Sequence, residues 1–292
     1  MQRLAFYIVY PLLKLISILP FPLLYFISDI VFVLVYTLFG YRKKVVKANL
    51  KLAFPEKTEQ ERKKIERRFY KHLCDLIFEA IKSMHISEEN LKKRFQFENI
   101  ETISAFEKQN KNIVLMLSHY GNWEWVFIMQ SFIESKGYGI YKRLKNKHFD
   151  KLVKEIRAKF NTELITTKET IEILTESKRN NELSISGFIS DQSPKPQKAF
   201  HWNEFMGVYV PVHTGAELIA KRFDSPVVFA AIDKVKRGYY TCTFKTIAVN
   251  SSEYEDYEIT DEFLKLTEEQ IRKKPELYLW THKRWKHRKK RD

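Results

Sequence analysis

Glycine is scarce in this chain, with eight in 292 residues, and the Gly-rich loops that cradle nucleotide phosphates have no counterpart in it. That argues against a Rossmann or P-loop nucleotide site. Cysteine is scarcer still: Cys74 and Cys242 are far apart and neither belongs to a Cys-x-x-Cys pair, which disfavours structural zinc. Their apolar neighbours assign both to packing. None of the eight histidines shows metal-ligand spacing, no internal repeat is visible, and no Gly/Ser/Pro-rich linker divides the chain. Neither a metal nor another cofactor is expected. Acidic residues are in deficit, 36 Asp and Glu against 51 Lys and Arg, and the resulting net charge of +15 calls for an anionic partner: nucleic acid, an anionic membrane surface or an acidic protein.

The N-terminus narrows that choice. Leu4 to Leu19 and Phe21 to Phe39 are almost wholly apolar, interrupted by Lys14, the Pro20-Phe21-Pro22 corner and Ser28-Asp29. The stretch is too long for a cleavable signal peptide and lacks a small-residue cleavage pattern. Residues 1–40 therefore read as a membrane-attachment segment. Asp29 would cost about 2.5 to 3.5 kcal/mol at a bilayer centre, so a spanning helix and two short interfacial helices both remain open. Arg42, Lys43, Lys44 and Lys47 follow at once and leave residues 41–292 on the cytoplasmic side.

Thr58 and Glu61 form a capping-box pattern that opens a long helix, with Ile65, Phe69, Leu73, Leu76, Ile77, Ala80, Ile81 and Met84 assigned to its packed face. Beyond it, strand-like runs at 113–117, 137–141, 164–166, 184–189, 227–232 and 239–247 alternate with helical patterns at 123–135, 149–160, 170–177, 215–222 and 260–272. The alternation predicts an α/β fold: a single, largely parallel or mixed sheet flanked by helices.

Within it, His119 and Glu124 stand out. Five helical positions rotate a side chain by about 500°, roughly 140° from its start, so the two groups converge only across a break. The sequence supplies one: an apolar strand to Leu117, the turn Gly121-Asn122 as N-cap, and a helix from Trp123. An imidazole with a carboxylate on its other ring nitrogen can take a proton from an attacking hydroxyl. The plain alternative is a polar strand end beside a glutamate favoured by the helix dipole. Ligands of open α/β sheets bind beyond the carboxyl ends of strands, and there His119, Lys142-Arg143 and Asp191-Gln192 gather a base, cations and a carboxylate. Individually the cations read as solvated surface charges and Asp191 as a turn residue.

The chain resembles the late acyltransferases of bacterial lipid A biosynthesis, the lauroyl/myristoyl transferase branch of the lysophospholipid acyltransferase superfamily. The resemblance rests on the apolar N-terminus, Asn49-Leu50-Lys51-Leu52-Ala53-Phe54-Pro55, the His119-x4-Glu124 pair, Tyr141-Lys142-Arg143-Leu144-Lys145-Asn146, Asp150, Arg157, Ser190-Asp191-Gln192-Ser193-Pro194, Thr214 to Ala220 and Leu279 to Trp285. It covers nearly the whole chain. Lys142 stands where these enzymes commonly have arginine. Phe54-Pro55-Glu56-Lys57 is a chance likeness to the second signature of glycerolipid acyltransferases, since it lies upstream of His119 and lacks that motif's glycine and arginine.

The resemblance implies a glycerolipid-acyltransferase-like fold at the cytoplasmic face of the bacterial inner membrane. It implies transfer of an acyl chain from acyl carrier protein to a hydroxyl of a lipid A precursor, a lysophospholipid or aminolipid being the alternative acceptor. His119 would be the base and Glu124 its orienting partner. Lys142, Arg143 or Arg157 would hold acceptor phosphates or the donor's phosphopantetheine arm, with Asp191 on the acceptor side. The rival from another class is a non-enzymatic binder using the basic run Lys283 to Arg291 on lipid or nucleic acid. Nucleic acid is disfavoured: no recognised nucleic-acid module is present, and the apolar N-terminus tethers the chain to a membrane.

Overall fold

The computed structural model describes residues 2–290; Arg291, the last residue of the basic run, lies outside them. Seven strands form one mixed sheet: β1 (Phe95–Phe97), β2 (Ile113–Leu117), β3 (Lys136–Tyr141), β4 (Thr162–Thr166), β5 (Ser184–Ile189), β8 (Val227–Lys236) and β9 (Tyr239–Ala248). Their order is β1-β9-β8-β2-β5-β3-β4, every neighbouring pair being parallel except β8 and β9, which form an antiparallel hairpin. β2 is central, and its five apolar residues are buried on both faces, as a parallel strand covered by helices requires.

Alternation along the strands divides two cores. Val114, Met116, Val227 and Phe229 belong to one, while Leu115, Leu117, Val228 and Ala230 belong to the other. The first is covered by α3 (Lys43–Ala53), α4 (Glu59–Lys82), α9 (Gly215–Phe223) and α10 (Glu258–Lys273); the second by α5 (Glu88–Arg94), α6 (Glu101–Glu107) and a 3₁₀ helix, Trp123–Ser131. Two further helices, α7 (Lys147–Ala158) and α8 (Thr170–Arg179), complete the crossovers.

The capping box of α4 forms as the sequence dictates, Thr58 Oγ1 accepting from the Glu61 N–H and Glu61 Oε2 from the Thr58 N–H at 2.7 Å. Ile77, assigned to the packed face, is half exposed because its neighbour Leu76 takes the inward position. β1 and the small antiparallel pair β6 (His201–Phe205) and β7 (Val208–Val212) add to the strands that the sequence pattern predicts. The β6–β7 turn holds Met206 and Gly207 at positive φ, a hairpin turn whose letters are not the usual Asn-Gly or Asp-Gly.

The N-terminus folds into α1 (Gln2–Ile18) and α2 (Phe21–Val33), the latter continued as a π-helix over Leu34–Phe39. Phe21–Phe39 is long and apolar enough to cross a bilayer by length and composition. Yet three of its polar residues, unlike the exposed Thr37, are engaged by the rest of the protein. Tyr25, Ser28 and Asp29 turn onto α4 and the β8–β9 hairpin, whereas Leu23, Phe26, Ile30, Val33 and Leu38 are exposed.

The basic C-terminal run is likewise not a free tail. Arg284 and Trp285 are each 1 % exposed, Trp285 stacks on Trp280 with ring centroids 5.9 Å apart, and Arg284 Nη1 donates to the Pro211 carbonyl at 3.0 Å. Aromatic packing and a buried hydrogen bond have taken two members of the run into the core.

Candidate active site

Strand pairing builds the site. The β2–β5 register sets Leu117 opposite Ile189, so the residues that follow each strand meet at the carboxyl edge of the sheet. There the Nδ1 of His119 lies 2.7 Å from Asp191 Oδ1, which also accepts the His119 backbone N–H at 3.1 Å. With Nδ1–H donating to Asp191, the Nε2 lone pair is left facing Gln192, whose Nε2 is 3.2 Å away. Burial disfavours an imidazolium here, but the charge and hydrogen bond of Asp191, with a smaller contribution from Glu124, outweigh it and hold the His119 pKa above its ordinary value. Asp191 is 1 % exposed; burial opposes its ionisation, and the His119 interactions overcome that and hold its carboxyl below the usual range.

Glu124 takes a different place from the one its spacing suggests. Its Oε2 accepts from Arg157 Nη2 at 2.7 Å and its Oε1 from the Trp123 indole at 3.2 Å. The carboxylate on the His119 ring is therefore that of Asp191, because the turn and 3₁₀ helix aim Glu124 toward α7. Trp123 presents its ring edge-on to His119 at 5.2 Å. Arg157 has a 14 % exposed side chain, packs over Phe127, and keeps a buried Nε with no partner among the described residues. Lys142 and Arg143 are exposed beyond β3, and Arg143 pairs with Glu169 at 3.2 Å. Asp150 braces that loop, accepting from the Leu144 N–H at 2.7 Å and the Tyr141 hydroxyl at 3.1 Å.

The turn carrying the site is held from three sides. Gly121 has φ +60°, and a Cβ there would lie 2.6 Å from Ile232 Cγ2, so glycine is needed for both conformation and space. Its N–H donates to the Leu277 carbonyl at 3.1 Å, and the His119 carbonyl accepts from the Leu279 N–H at 3.0 Å. Asn49 Nδ2 in turn fixes that C-terminal segment through the Trp280 and His282 carbonyls, at 2.8 and 2.7 Å. Asn122 caps the 3₁₀ helix as its position predicts, its Oδ1 accepting the Trp125 N–H at 3.2 Å.

Leu117 and Trp123, which flank the His119 turn on either side, open onto an apolar cavity at the carboxyl edge of the sheet. The sheet supplies Leu115, Leu117, Ile185 and Ile189 on one face, with Gly137, Gly139 and Gly187 among them. Three of the eight glycines thus line the space: a Cβ on Gly137 or Gly139 would strike Gln130 or Leu164, at 2.7 and 2.8 Å, whereas one on Gly187 would stand free. The 3₁₀ helix supplies Trp123, Val126 and Met129, aligned because side chains at i and i+3 eclipse in that geometry. An α-helix, the form expected from the sequence, would fan them out by about 60° per step. Arg157 completes the wall beside the Glu124 end. The result is an apolar slot with a cation at the side where His119, Asp191 and Glu124 gather.

A mixed α/β sheet with an imidazole–carboxylate pair near an apolar slot is an arrangement compatible with acyl transfer. The chain belongs to the bacterial lipid A biosynthesis acyltransferases: the family model of that description matches residues 1–287. It is also similar to the lipid A biosynthesis lauroyltransferase of Escherichia coli (strain K12), 23 % identical over 251 residues that cover 85 % of this chain and 80 % of that one.

Proposed function

We propose that this acyltransferase moves a fatty acyl chain from the thioester of acyl carrier protein to a hydroxyl of a lipid A precursor, with His119 as general base. The observation that carries the reading is the position of the His119–Asp191 pair beside the apolar slot. Asp191 accepts the Nδ1–H of His119 and so keeps the Nε2 lone pair free for the reacting group. Gln192, now beside Nε2, would yield that place to the acceptor hydroxyl.

The hydroxyl oxygen attacks the thioester carbonyl carbon as its proton passes to His119 Nε2. The tetrahedral intermediate then collapses: the carbon–sulfur bond breaks, the sulfur leaves with the electron pair, and the imidazolium returns the proton to it. No acyl-enzyme is needed. Arg157, with an uncommitted Nε at the slot wall, is placed to receive charge developing on the carbonyl oxygen, and Glu124 fixes its guanidinium. Lys142, Lys145 and Lys147 are exposed around the β3–α7 loop, where they suit phosphates of the acceptor or an acidic carrier.

The slot takes the acyl chain. The outer face of α1 and α2, with Ile8, Leu12, Leu15, Phe26, Ile30 and Leu38 exposed, takes the membrane. Because α2 lies on α4 along its polar side, attachment in the plane of the cytoplasmic interface is favoured over a separate span.

The test is acyl transfer by purified full-length protein from acyl carrier protein thioester to a lipid A precursor. His119→Ala should remove it, and activity surviving within a few-fold would reject the role. Mass spectrometry of lipids from a deletion strain decides the acceptor. A missing acyl chain on lipid A supports this reading, while intact lipid A with altered phospholipid or aminolipid would replace it.

A further inference from the structure

Helix α4 carries polar groups at positions 71, 75, 79 and 82, close to the i, i+4, i+8, i+11 recurrence of one helical face. Burying such a stripe is costly unless every member is paired. Its partners lie on the N-terminal helices, on the β8–β9 hairpin and, for Glu79, also on the turn after His119. Lys82 Nζ donates to the Ser17 and Leu19 carbonyls at the end of α1, at 2.9 and 2.7 Å. Glu79 Oε1 accepts from the Tyr25 hydroxyl at 2.8 Å, and Asp75 Oδ1 from the Ser28 hydroxyl at 2.8 Å. Arg237 bridges Asp75 and Asp29, its Nη2 lying 2.6 and 2.8 Å from their oxygens, and Lys71 reaches Asp29 at 3.5 Å. Gly238, at φ +75°, leaves room for this docking, since a Cβ there would lie 2.0 Å from the Tyr25 hydroxyl.

Glu79 is the member that also faces the candidate active site. It is fully buried, and its Oε2 accepts from Asn122 Nδ2 at 2.7 Å and from the Tyr240 hydroxyl at 2.9 Å. Asn122 is the cap of the 3₁₀ helix that carries Glu124. Its amide is thus fixed at both ends, the oxygen by the Trp125 N–H and the nitrogen by Glu79. One carboxylate therefore ties three elements: the apolar N-terminal helix, the hairpin strand β9 and the turn between His119 and Glu124.

We propose that Glu79 is a positioning residue through which the N-terminal helices, docked on α4, hold the His119–Glu124 turn in its working geometry. The N-terminal segment is then part of the scaffold of the active site as well as an attachment to the bilayer. The catalytic half of this inference rests on the function proposed above; the mechanical half does not.

Two variants of the full-length protein in detergent micelles test it: Tyr25→Phe, which deletes one hydroxyl, and Glu79→Gln, which keeps the shape. Tyr254→Phe, which loses a hydroxyl bond to the Ile247 carbonyl instead, is the control. Hydrogen exchange of the peptide covering residues 118–131 and steady-state acyl transfer are both read. The expected result is faster exchange in that peptide with β2 unchanged, and kcat lowered about tenfold with KM within twofold, in both variants but not in the control; small displacements of catalytic groups act in this way. Unchanged exchange, or kcat within twofold of the parent, overturns the proposal. So does a uniform loss of protection across the sheet, which would make Glu79 merely structural. Should the parent show no acyl transfer while exchange rises locally in the variants, the mechanical coupling stands and the proposed reaction falls.

Discussion

One oxygen of Asp191 accepts both the backbone N–H and the ring Nδ1–H of His119, at 3.1 and 2.7 Å. The carboxylate thereby fixes where the imidazole sits and which nitrogen keeps its lone pair. Burial is outweighed by Asp191 in holding the imidazole pKa above its ordinary value; if His119 is the base proposed above it must be neutral to act, and activity should rise with pH through a value above that of a free histidine. Asp191→Asn removes the charge. Its acid limb should move to lower pH while kcat falls at least about a hundredfold at every pH. A pH–rate profile of the variant with an unmoved acid limb would contradict this assignment.

That contact also marks the limit of what the sequence discloses. The strand–turn–cap arrangement around His119 is written locally: an apolar run, Gly121, and an amide able to cap. Asp191 was visible as a polar residue after another strand, but its meeting with His119 depends on β2 lying beside β5, a choice of sheet order that no local pattern encodes. The five-residue spacing instead drew attention to Glu124, whose orientation is settled by Arg157 on α7. Asp29 shows the same limit. Counted as a charge in an apolar stretch, it reads as a cost; its partner Arg237 is 208 residues away. Arg284 read as surface charge because a basic run gives no sign that aromatic neighbours will draw one of its members into the core.

The slot makes a prediction about chain length. A Cβ on Gly187 would have only one heavy atom within 4 Å, the Tyr138 carbonyl oxygen at 3.9 Å, so a larger side chain enters the cavity without striking its wall. Gly187→Val should lower turnover of long-chain thioesters by about tenfold or more per methylene excluded and spare short ones. Competition between carrier-bound chains of different length measures this directly. An equal loss for all lengths would mean that the acyl chain lies elsewhere.

Arg157 offers two donors with different tasks, an Nη2 committed to Glu124 and an Nε without a partner at the slot. A lysine can keep the first interaction but has no second, rigidly spaced donor. Arg157→Lys should therefore fold and attach to vesicles as the parent does, yet lose more than about tenfold in kcat, with little change in KM if the missing interaction forms only in the transition state. A rise in KM alone would reassign Arg157 to ground-state binding of substrate phosphate.

Glu79 should leave a mark on stability as well as on rate. Burial, opposed in part by Lys234 and its hydroxyl donors, pushes its pKa up to about 7 from the 4.5 of a free glutamate. Below the unfolded value both states carry the proton and nothing is lost. As pH rises the unfolded chain releases its proton first, so stability declines between about pH 4.5 and 7 and levels off above it, by about 3 kcal/mol in total. Glu79→Gln cannot titrate and should lack this decline. Urea unfolding of parent and variant at pH 5 and pH 8 separates the cases: the difference in stability between the two proteins should shift in favour of the variant at the higher pH. Parallel behaviour would mean that Glu79 is ionised throughout, with Tyr25, Tyr240 and Asn122 supplying enough donors to hold a buried carboxylate charged.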